Sequence, residues 1–415
     1  MNREPLQGRL AIQVFACFAA AYFLSFAMRA VNAVIAPSLT ADFGLTNAQL
    51  GSLSAAYFFG FSLLQLPLGV WLDRFGSRRV HATLLLIAAA GCAVFATASD
   101  VTGLWVGRAL IGAGVAGALM AALKGYRFWY APERQYQLTA WMLVAGTAGV
   151  LSTTVPVQLA LPAIGWRGVF WLTMALLLAA SVAIFTLVPR DEERATAATR
   201  AAAPPGSAFG GYRAVFRDAY FWRFAVCGVF AQSTFMALQT LWAGPWFVRV
   251  LGMTPAESAQ SLLVFNLTLM LGFFGFGWLQ PRLQRRGFGF VGIGAFGLTT
   301  MILLQAAIAL VDGPSAWWLW PVMAVLSTFQ APMQTHVSLS FPAALTGRAF
   351  TAYNLVVFLA TFVNQWLFGA VVDVFTRGGS EVSSAFRNTL LVFLVPQVVA
   401  LAVLVFSKAR PTTHA

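Results

Sequence analysis

Three cations lie inside long apolar stretches of the sequence, where a charge is costly unless it is paired or functional. Arg29, Arg108 and Lys124 each lie in such a stretch, whereas the acidic residues lie between the stretches or at their ends. Ionisable residues in hydrocarbon usually mark a binding site or a pathway. A guanidinium is permanently charged, and its planar fork binds carboxylate or phosphate through two hydrogen bonds. These residue types indicate anion binding.

Each of these side chains also has a structural interpretation. Arg29 can snorkel to an interface of the bilayer or donate to helix carbonyls, and Lys124 lies five residues before Trp129, near an interface. His336 can bind a substrate, carry a proton or be a hydrogen-bonded packing residue. We expect Arg29 to be the anion ligand and Lys124 to supply an auxiliary charge, with both alternatives open for Lys124 and His336.

Amide side chains inside the apolar stretches provide further polar groups. An amide costs less to bury than a charge, and it both donates and accepts hydrogen bonds, so it can orient a polar solute. Gly244-Pro245 interrupts helical hydrogen bonding and predicts a hinge beside an aromatic residue. The candidate substrate ligands are therefore His336, the aromatic residue Trp242, and the amide residues Asn32, Gln239, Gln330, Gln334 and Asn354.

The composition requires a membrane to position these residues. Hydrophobic residues make up 59% of the 415-residue chain and charged residues 9%, whereas soluble domains contain about 25% charged residues. A span needs about 20 apolar residues. The sequence therefore predicts an all-α membrane protein of twelve transmembrane helices, at 10–36, 45–72, 79–99, 101–129, 135–162, 166–188, 219–249, 256–280, 287–311, 315–341, 347–373 and 384–407.

The net charge of +13 reflects the loops and does not indicate a nucleic-acid partner, because the basic residues are spread over short connections. Apart from the three intramembrane cations, only Arg167, Arg249, Arg377 and Arg387 lie in the odd-to-even connections. This bias predicts that both termini are cytoplasmic, with anionic membrane lipids as secondary partners. The three cysteines lie in apolar runs without CxxC spacing, so neither a disulfide nor a metal site is expected.

A polar segment divides the chain into two halves of six helices. We expect an N-terminal bundle at 1–189, a cytoplasmic linker at 190–217, and a C-terminal bundle at 218–415. A single offset aligns Pro37 with Pro245, Gly44 with Gly252 and Arg74 with Arg282, which indicates two pseudo-symmetric bundles. In transporters built this way, the substrate site lies between the repeats.

The loop after the second helix carries a family signature. It reads Gly69-Val-Trp-Leu-Asp73-Arg74-Phe-Gly76-Ser-Arg78-Arg79, which resembles the G-x-x-x-D-R-x-G-R-[RK] motif of the major facilitator superfamily. Arg108-Ala-Leu-Ile-Gly112-Ala-Gly114 resembles the R-x-x-x-G-x-G element of the same family. The resemblance implies the major facilitator fold and a conformational latch formed by Gly69, Asp73, Arg74, Gly76, Arg78 and Arg108, with Asp73 bonded to a neighbouring helix N-terminus. Ordinary topogenic charge is the alternative.

The first helix is similar to that of organophosphate:phosphate antiporters and anion:cation symporters. In those families an arginine precedes an Asn-containing stretch and a helix-ending proline, as Arg29, Asn32 and Pro37 do here. The resemblance implies that Arg29 faces a central cavity and binds the anionic group of the substrate. Ala237 occupies the aligned position where the antiporters carry a second arginine. A monoanion or a carboxylate is therefore expected in place of a phosphate.

The resemblance implies secondary active transport by alternating access, moving a small organic anion across a bacterial inner membrane by proton coupling or exchange, in a monomer. Efflux of a hydrophobic drug or siderophore-like compound is an alternative, which the aromatic content favours and the lack of a buried acid opposes. A transporter-like ligand sensor is another. The sequence contains no P-loop, HExxH or GxSxG motif, so we expect neither an enzyme nor a cofactor or metal.

Overall fold

A computed structural model of the chain describes residues 6, 8–131, 134–190 and 210–409, and every regular element in these ranges is helical. The helices up to residue 187 are α1 (Gly8–Ala30), α2 (Asn32–Phe43), α3 (Asn47–Leu63), α4 (Gln65–Thr97), α5 (Val101–Val115), α6 (Ala118–Trp129), α7 (Gln135–Ser152) and α8 (Val155–Leu187). The later α-helices are α9 (Gly210–Arg217), α10 (Ala219–Cys227), α11 (Ser233–Ala237), α12 (Ala243–Arg249), α13 (Pro255–Arg285), α14 (Phe290–Leu310), α15 (Leu319–Ser327), α16 (Pro332–Leu339), α17 (Ala343–Arg377) and α18 (Val382–Phe406).

Each predicted apolar run coincides with helical structure. Ten stretches of the described residues are long and apolar enough to span a membrane, and Gln137–Ser152 is a shorter apolar helix. The run predicted at 315–341 is broken into a 3₁₀ turn at Pro314–Trp318, α15, a second 3₁₀ turn at Thr328–Gln330, and α16. The predicted all-α membrane architecture is confirmed.

Two glycines separate pairs of predicted spans. Gly76 has φ 80° and ψ 164° within α4, and Gly165 has φ 62° and ψ 175° within α8. This backbone region is essentially restricted to glycine, because a Cβ would collide with the chain. Gly76, in the signature loop, is therefore needed for the turn that starts the third span.

The prolines act differently from the sequence expectation. The first span is interrupted at Val31, and Pro37 lies inside α2, which continues to Phe43, so the proline does not end the helix. Near Pro245 the helix forms a π-helical turn at Leu238–Trp242. Proline has no N–H and its ring clashes with the preceding turn, so the wider turn accommodates it within a continuous span.

The described chain forms two compact units. One contains Met1–Val31 and Ala56–Ala208, and the other contains Asn32–Ala55 and Phe209–Ala415. In the first unit, small residues allow close helix packing: a Cβ added at Gly112 would overlap the backbone of Tyr57, and one at Gly114 the backbone of Ala88. The second unit has a core of buried side chains that includes Phe221, Phe224, Val337, Phe341 and Tyr353.

The structure describes residues 190 and 210–217 of the predicted linker. Residues 191–209 lie outside the described part of the chain. The last eight residues of the linker, 210–217, form α9. Val215 of α9 is fully buried against the core of the second unit, and Tyr212 Oη lies 3.0 Å from Thr351 Oγ1, whereas Arg213 and Arg217 are exposed. This end of the linker is an amphipathic helix because its apolar residues fall on one face.

Candidate functional site

Arg29 lies in the last turn of α1 and is half-buried. Its guanidinium carbon is 4.3 Å from the centre of the Phe26 ring and 5.6 Å from that of Phe61. A cation over an aromatic face is stabilised by the negative face of the ring. The carbonyl end of a helix also favours a cation. The Arg29 guanidinium thus packs against two aromatic rings near the end of α1.

Two side chains of the same unit donate to carbonyls near the end of α1. Arg108, 1% exposed, donates from Nη1 to the carbonyl of Met28 at 2.9 Å, and Tyr57 Oη donates to the carbonyl of Ser25 at 3.1 Å. The guanidinium of Arg108 also lies over the Tyr57 ring, 5.3 Å from its centre. The last carbonyls of a helix lack intrahelical partners. The family resemblance assigned Arg108 to the latch. The structure places it beside Met28, the residue that precedes Arg29.

Asn32 follows the interruption at Val31 and belongs to the other unit. It is fully buried, and its Nδ2 donates to Ser54 Oγ at 2.7 Å. The contact joins α2 to α3 within that unit. The side chain that the sequence offered as a substrate ligand therefore already has one partner in its own unit.

Lys124 donates from Nζ to the carbonyl of Leu72 at 2.5 Å. Leu72 immediately precedes the Asp73 of the signature loop, whose side chain lies outside the described part of the structure. Lys124 is therefore connected to the end of the second span, a relationship that its position in the sequence did not reveal.

The remaining residues of the signature loop differ in burial. Arg78 is buried, donates to the carbonyl of Phe185 on α8, and lies over that residue's ring at 4.6 Å. Arg74 is exposed and lies 5.1 Å from the Phe75 ring centre, and Gly69 lies in regular helix with no atom within 4 Å of an added Cβ. The buried arginine fixes the loop to α8, because a buried guanidinium must satisfy its donors.

Gln239 and Trp242 lie in the π-helical turn before Pro245. Gln239 Nε2 donates to Asn266 Oδ1 at 2.9 Å. Trp242 is fully buried, its Nε1 donates to the carbonyl of Gln365 at 3.1 Å, and its ring packs against Phe368. Trp242 is thus a packing residue of its unit in this conformation.

The amides of α16 and α17 form a pair. Gln334 Nε2 donates to Asn354 Oδ1 at 2.7 Å and to the carbonyl of Phe350 at 3.3 Å.

Gln330 is buried; its Nε2 lies 2.9 Å from Met301 Sδ, and its Oε1 has no hydrogen-bond partner. A buried acceptor without a donor is costly, which marks Gln330 as a place where a donor from water or a solute would be stabilised.

His336 is half-buried and lies in an aromatic cluster. Its Nε2 lies 2.8 Å from Tyr220 Oη, and its ring stacks on Phe290 with centres 4.2 Å apart. One ring nitrogen therefore has a hydrogen-bond partner, and the ring makes apolar contacts. This arrangement supports the packing interpretation.

The structure brings the candidates together in pairs: Arg108 with the end of α1, Lys124 with the signature loop, and Gln334 with Asn354. Sequence reasoning missed Tyr57, Asn266 and also Asp373, whose carboxylate accepts from the backbone N–H groups of Asn47 and Ala48. A phenol or amide in the middle of an apolar run is the signal that could have identified the first two. Within the described residues, no group of three or more His, Cys, Asp or Glu could hold a metal ion.

Comparison with known proteins identifies the family. The family model of the Major Facilitator Superfamily matches residues 18–364. A crystal structure of a bacterial homolog of the human lysosomal transporter Spinster superimposes with a TM-score of 0.78, at 18% identity, covering 96% of this chain and 97% of that one. At this identity the likeness establishes the fold.

Among curated relatives, a probable sulfoacetate transporter of Cupriavidus necator is 30% identical over 151 residues, which cover 36% of this chain and 35% of the relative. A hexuronate transporter of Escherichia coli is 24% identical over 278 residues, 63% of each chain. The chain thus spans from about a third to somewhat under two thirds of these two relatives. Because the family model covers most of the sequence, the chain belongs to the Major Facilitator Superfamily and is a multi-pass membrane protein.

Proposed function

We propose that this protein is a secondary active transporter that moves a small organic anion with a carboxylate-type group by alternating access. The observation that carries the proposal is the position of Arg29, a permanent cation at the end of a membrane-spanning helix, held over Phe26. Ionisable residues within spans are rare and usually functional. A permanent cation in this position can bind the anionic group of a transported solute.

The chemistry of Arg29 and its surroundings favours a carboxylate or sulfonate. A guanidinium binds a planar carboxylate through two parallel hydrogen bonds, and the aromatic rings beside it contact the apolar part of a small organic molecule. The aligned position in the second half is Ala237, so no second arginine is available there for a dianionic phosphate. A single anchoring arginine suits a singly charged group, with Lys124 as an auxiliary charge.

Two of the relatives support the same substrate class. Sulfoacetate and hexuronates, the compounds in the names of the relatives from Cupriavidus necator and Escherichia coli, are small organic anions that carry a carboxylate. Arg29 and Lys124 both lie within the region that the family model matches. The relatives therefore point to the same chemistry as the intramembrane cations.

We further propose the arrangement that the sequence suggests: halves at 1–189 and 218–415 with a cytoplasmic linker at 190–217, both termini in the cytoplasm, and a monomer in the bacterial inner membrane. The loop arginines support this orientation through the positive-inside rule. Uptake of the anion together with a proton, or in exchange for another anion, would keep the net charge moved across the membrane in each cycle small. The amide candidates Asn32, Gln239, Gln330, Gln334 and Asn354 would contact the polar part of the substrate.

The first test is ligand-induced thermal stabilisation of the purified full-length chain. Sulfoacetate, galacturonate, nitrate, a neutral hexose and tetraphenylphosphonium would be compared on wild type and Arg29→Gln. A ligand at 100 times its Kd stabilises the folded state by about 2.7 kcal/mol. We expect the carboxylates to raise the melting temperature of wild type and to have no effect on Arg29→Gln.

Arg282→Gln is the matched control, because Arg282 is also a half-buried helical arginine over an aromatic ring, 3.4 Å from the Trp278 centre, but it belongs to the other compact unit. It should respond like wild type. Equal stabilisation of wild type and Arg29→Gln by the hexose or the lipophilic cation would refute the anion proposal. Uptake of the stabilising anion into proteoliposomes would then separate a transporter from a ligand sensor, which binds without flux.

A further inference from the structure

A cavity of about 690 Å³ lies in the second compact unit, beside the start of α13. Its walls come from α13, from the segment between α12 and α13, and from the 3₁₀ turn at Pro314–Trp318. Sites that bind small molecules usually have volumes of about 300–1,000 Å³. The cavity is therefore large enough for a ligand, and its lining residues include Met253, Glu257, Gln260, Val264, Ser315 and Trp317.

Glu257 gives the cavity a carboxylate. Its Oε2 accepts from the Thr254 backbone N–H and from Thr254 Oγ1, both at 2.8 Å, in the capping box at the start of α13. A carboxylate has about four acceptor sites, so Glu257 can accept further donors. The half-buried Trp317 lines another wall of the same cavity. A carboxylate and an indole ring together bind an ammonium group, through a charge-assisted hydrogen bond and a cation–π contact.

Gln260 and Ser315 add neutral polar groups to the walls. An amide and a hydroxyl can both donate hydrogen bonds, which suits the oxygen atoms of a phosphate or an ester. The described residues that line the cavity include no arginine or lysine, so a purely anionic ligand would gain no ion pair there. The polar groups therefore fit a zwitterionic head group that carries an ammonium beside a phosphate.

An exposed apolar face of α13 continues from the cavity. Val264 lines the cavity and is also the first of four exposed apolar residues at spacings of three and four. Such spacings place side chains on one side of a helix. We call these residues the stripe; their exposed fractions are Val264 37%, Leu267 38%, Leu271 56% and Phe274 54%.

The stripe has the length of one leaflet of a bilayer. Val264 and Phe274 are ten residues apart, which corresponds to about 15 Å of helix, half of a hydrocarbon core of about 30 Å. Trp278 follows on the same face, and the guanidinium of Arg282 lies 3.4 Å from its ring centre. Aromatic and basic residues are typical of the interface. Glu257 and Trp278 thus mark the two ends of a full span, with the cavity at one end.

We propose that the cavity and the stripe together bind an aminophospholipid, with its ammonium between Glu257 and Trp317 and an acyl chain along the stripe. The head group supplies the cation that the carboxylate attracts, and the chain covers the apolar side chains that begin at the cavity. A free amine would fill only the polar part of this site. The test needs no transported anion, so it can fail independently of the proposed function.

Native mass spectrometry of the full-length chain, released from detergent, measures lipid binding. Phosphatidylethanolamine and phosphatidylglycerol with identical acyl chains are titrated, because both contain the phosphate and only the first contains the amine. We expect wild type to bind phosphatidylethanolamine about fivefold more tightly, and we expect Glu257→Gln to bind both lipids equally. Glutamine also forms the capping box with Thr254, so this variant keeps the start of α13.

Glu381→Gln is the matched control, because Glu381 is also an exposed glutamate at a helix start, the N-cap of α18, but does not line the cavity. It should retain the preference for phosphatidylethanolamine. Trp317→Leu should weaken binding of this lipid. Trp318→Leu, which changes the exposed neighbour in the same 3₁₀ turn, should not.

Equal affinity of wild type for the two lipids would overturn the proposal, and so would a preference that Glu257→Gln retains. Soluble phosphoethanolamine separates a lipid from a free amine. It should not displace phosphatidylethanolamine at equal concentration, and displacement would show that the stripe contributes nothing. A dimer that forms without lipid and excludes it would assign the stripe to a second copy of the chain instead.

Discussion

The guanidinium of Arg108 donates to the carbonyl of Met28 at 2.9 Å, which joins one intramembrane arginine to the residue that precedes the other, Arg29. Both charges thus belong to one arrangement at the end of α1. The buried cation adds a side-chain donor to a carbonyl close to the interruption of the helix at Val31. Arg108 therefore acts on the proposed site through Arg29, as a positioning residue.

The first prediction concerns Arg108→Lys. Lysine keeps the charge but loses the planar fork and its stacking on Tyr57, so the end of α1 is held less firmly. We expect the carboxylate that stabilises wild type to bind about tenfold more weakly, equivalent to about 1.4 kcal/mol. Titration of the thermal shift with that carboxylate measures the change.

Arg167→Lys provides the comparison for Arg108→Lys. Arg167 also donates to a carbonyl, that of Ala98 at 3.3 Å, and lies over an aromatic ring, 4.2 Å from the Trp166 centre. It is in the same unit, but its contacts shown are with Ala98 and Trp166, whereas Arg108 contacts Met28 of α1. Its replacement should leave anion affinity unchanged, and equal losses in both variants would contradict a positioning role for Arg108.

The second prediction contrasts two glycines of the signature loop. Gly76 has φ 80° and ψ 164°, so Gly76→Ala should destabilise the protein by about 1–3 kcal/mol. Gly69 is helical, and nothing lies within 4 Å of its added Cβ, so Gly69→Ala should be neutral or stabilise by about 0.5–1 kcal/mol. Thermal unfolding in detergent compares the two, and equal melting temperatures would show that the backbone at residue 76 is not constrained.

The third prediction concerns the hydrogen bond between His336 and Tyr220, whose Nε2 and Oη atoms are 2.8 Å apart. Tyr220→Phe and His336→Gln should each destabilise the protein by about 1 kcal/mol, and the double variant should cost less than the sum, because both remove the same bond.

The readout that separates packing from proton transfer is the pH dependence of anion binding. Because His336 is hydrogen-bonded and stacked on Phe290, we expect His336→Gln to bind the anion with the same pH profile as wild type. A profile that becomes flat only in His336→Gln would instead make His336 the proton carrier. Phe290→Leu, which removes the stacking partner and leaves the imidazole, is the control.

The sequence by itself determined the architecture, because hydropathy and helix length depend on local composition. Runs of about 20 apolar residues must form helices in a bilayer, where every backbone group needs an internal partner. The signature loop from Gly69 to Arg79 identified the family for the same reason: its glycine satisfies a local backbone requirement. The duplication that aligns Gly44 with Gly252 was equally readable, and both glycines have positive φ.

Only the tertiary structure decided which polar side chains meet. Helix periodicity does not give the rotation of a span that is apolar on all sides, so the sequence could not place Arg108 against Met28, Lys124 against Leu72 or Gln239 against Asn266. Asp373 was recognisable only as an acid near a helix end. Its carboxylate accepts from the backbone N–H of Ala48, 325 residues earlier in the chain, and contacts over such separations are fixed by packing alone.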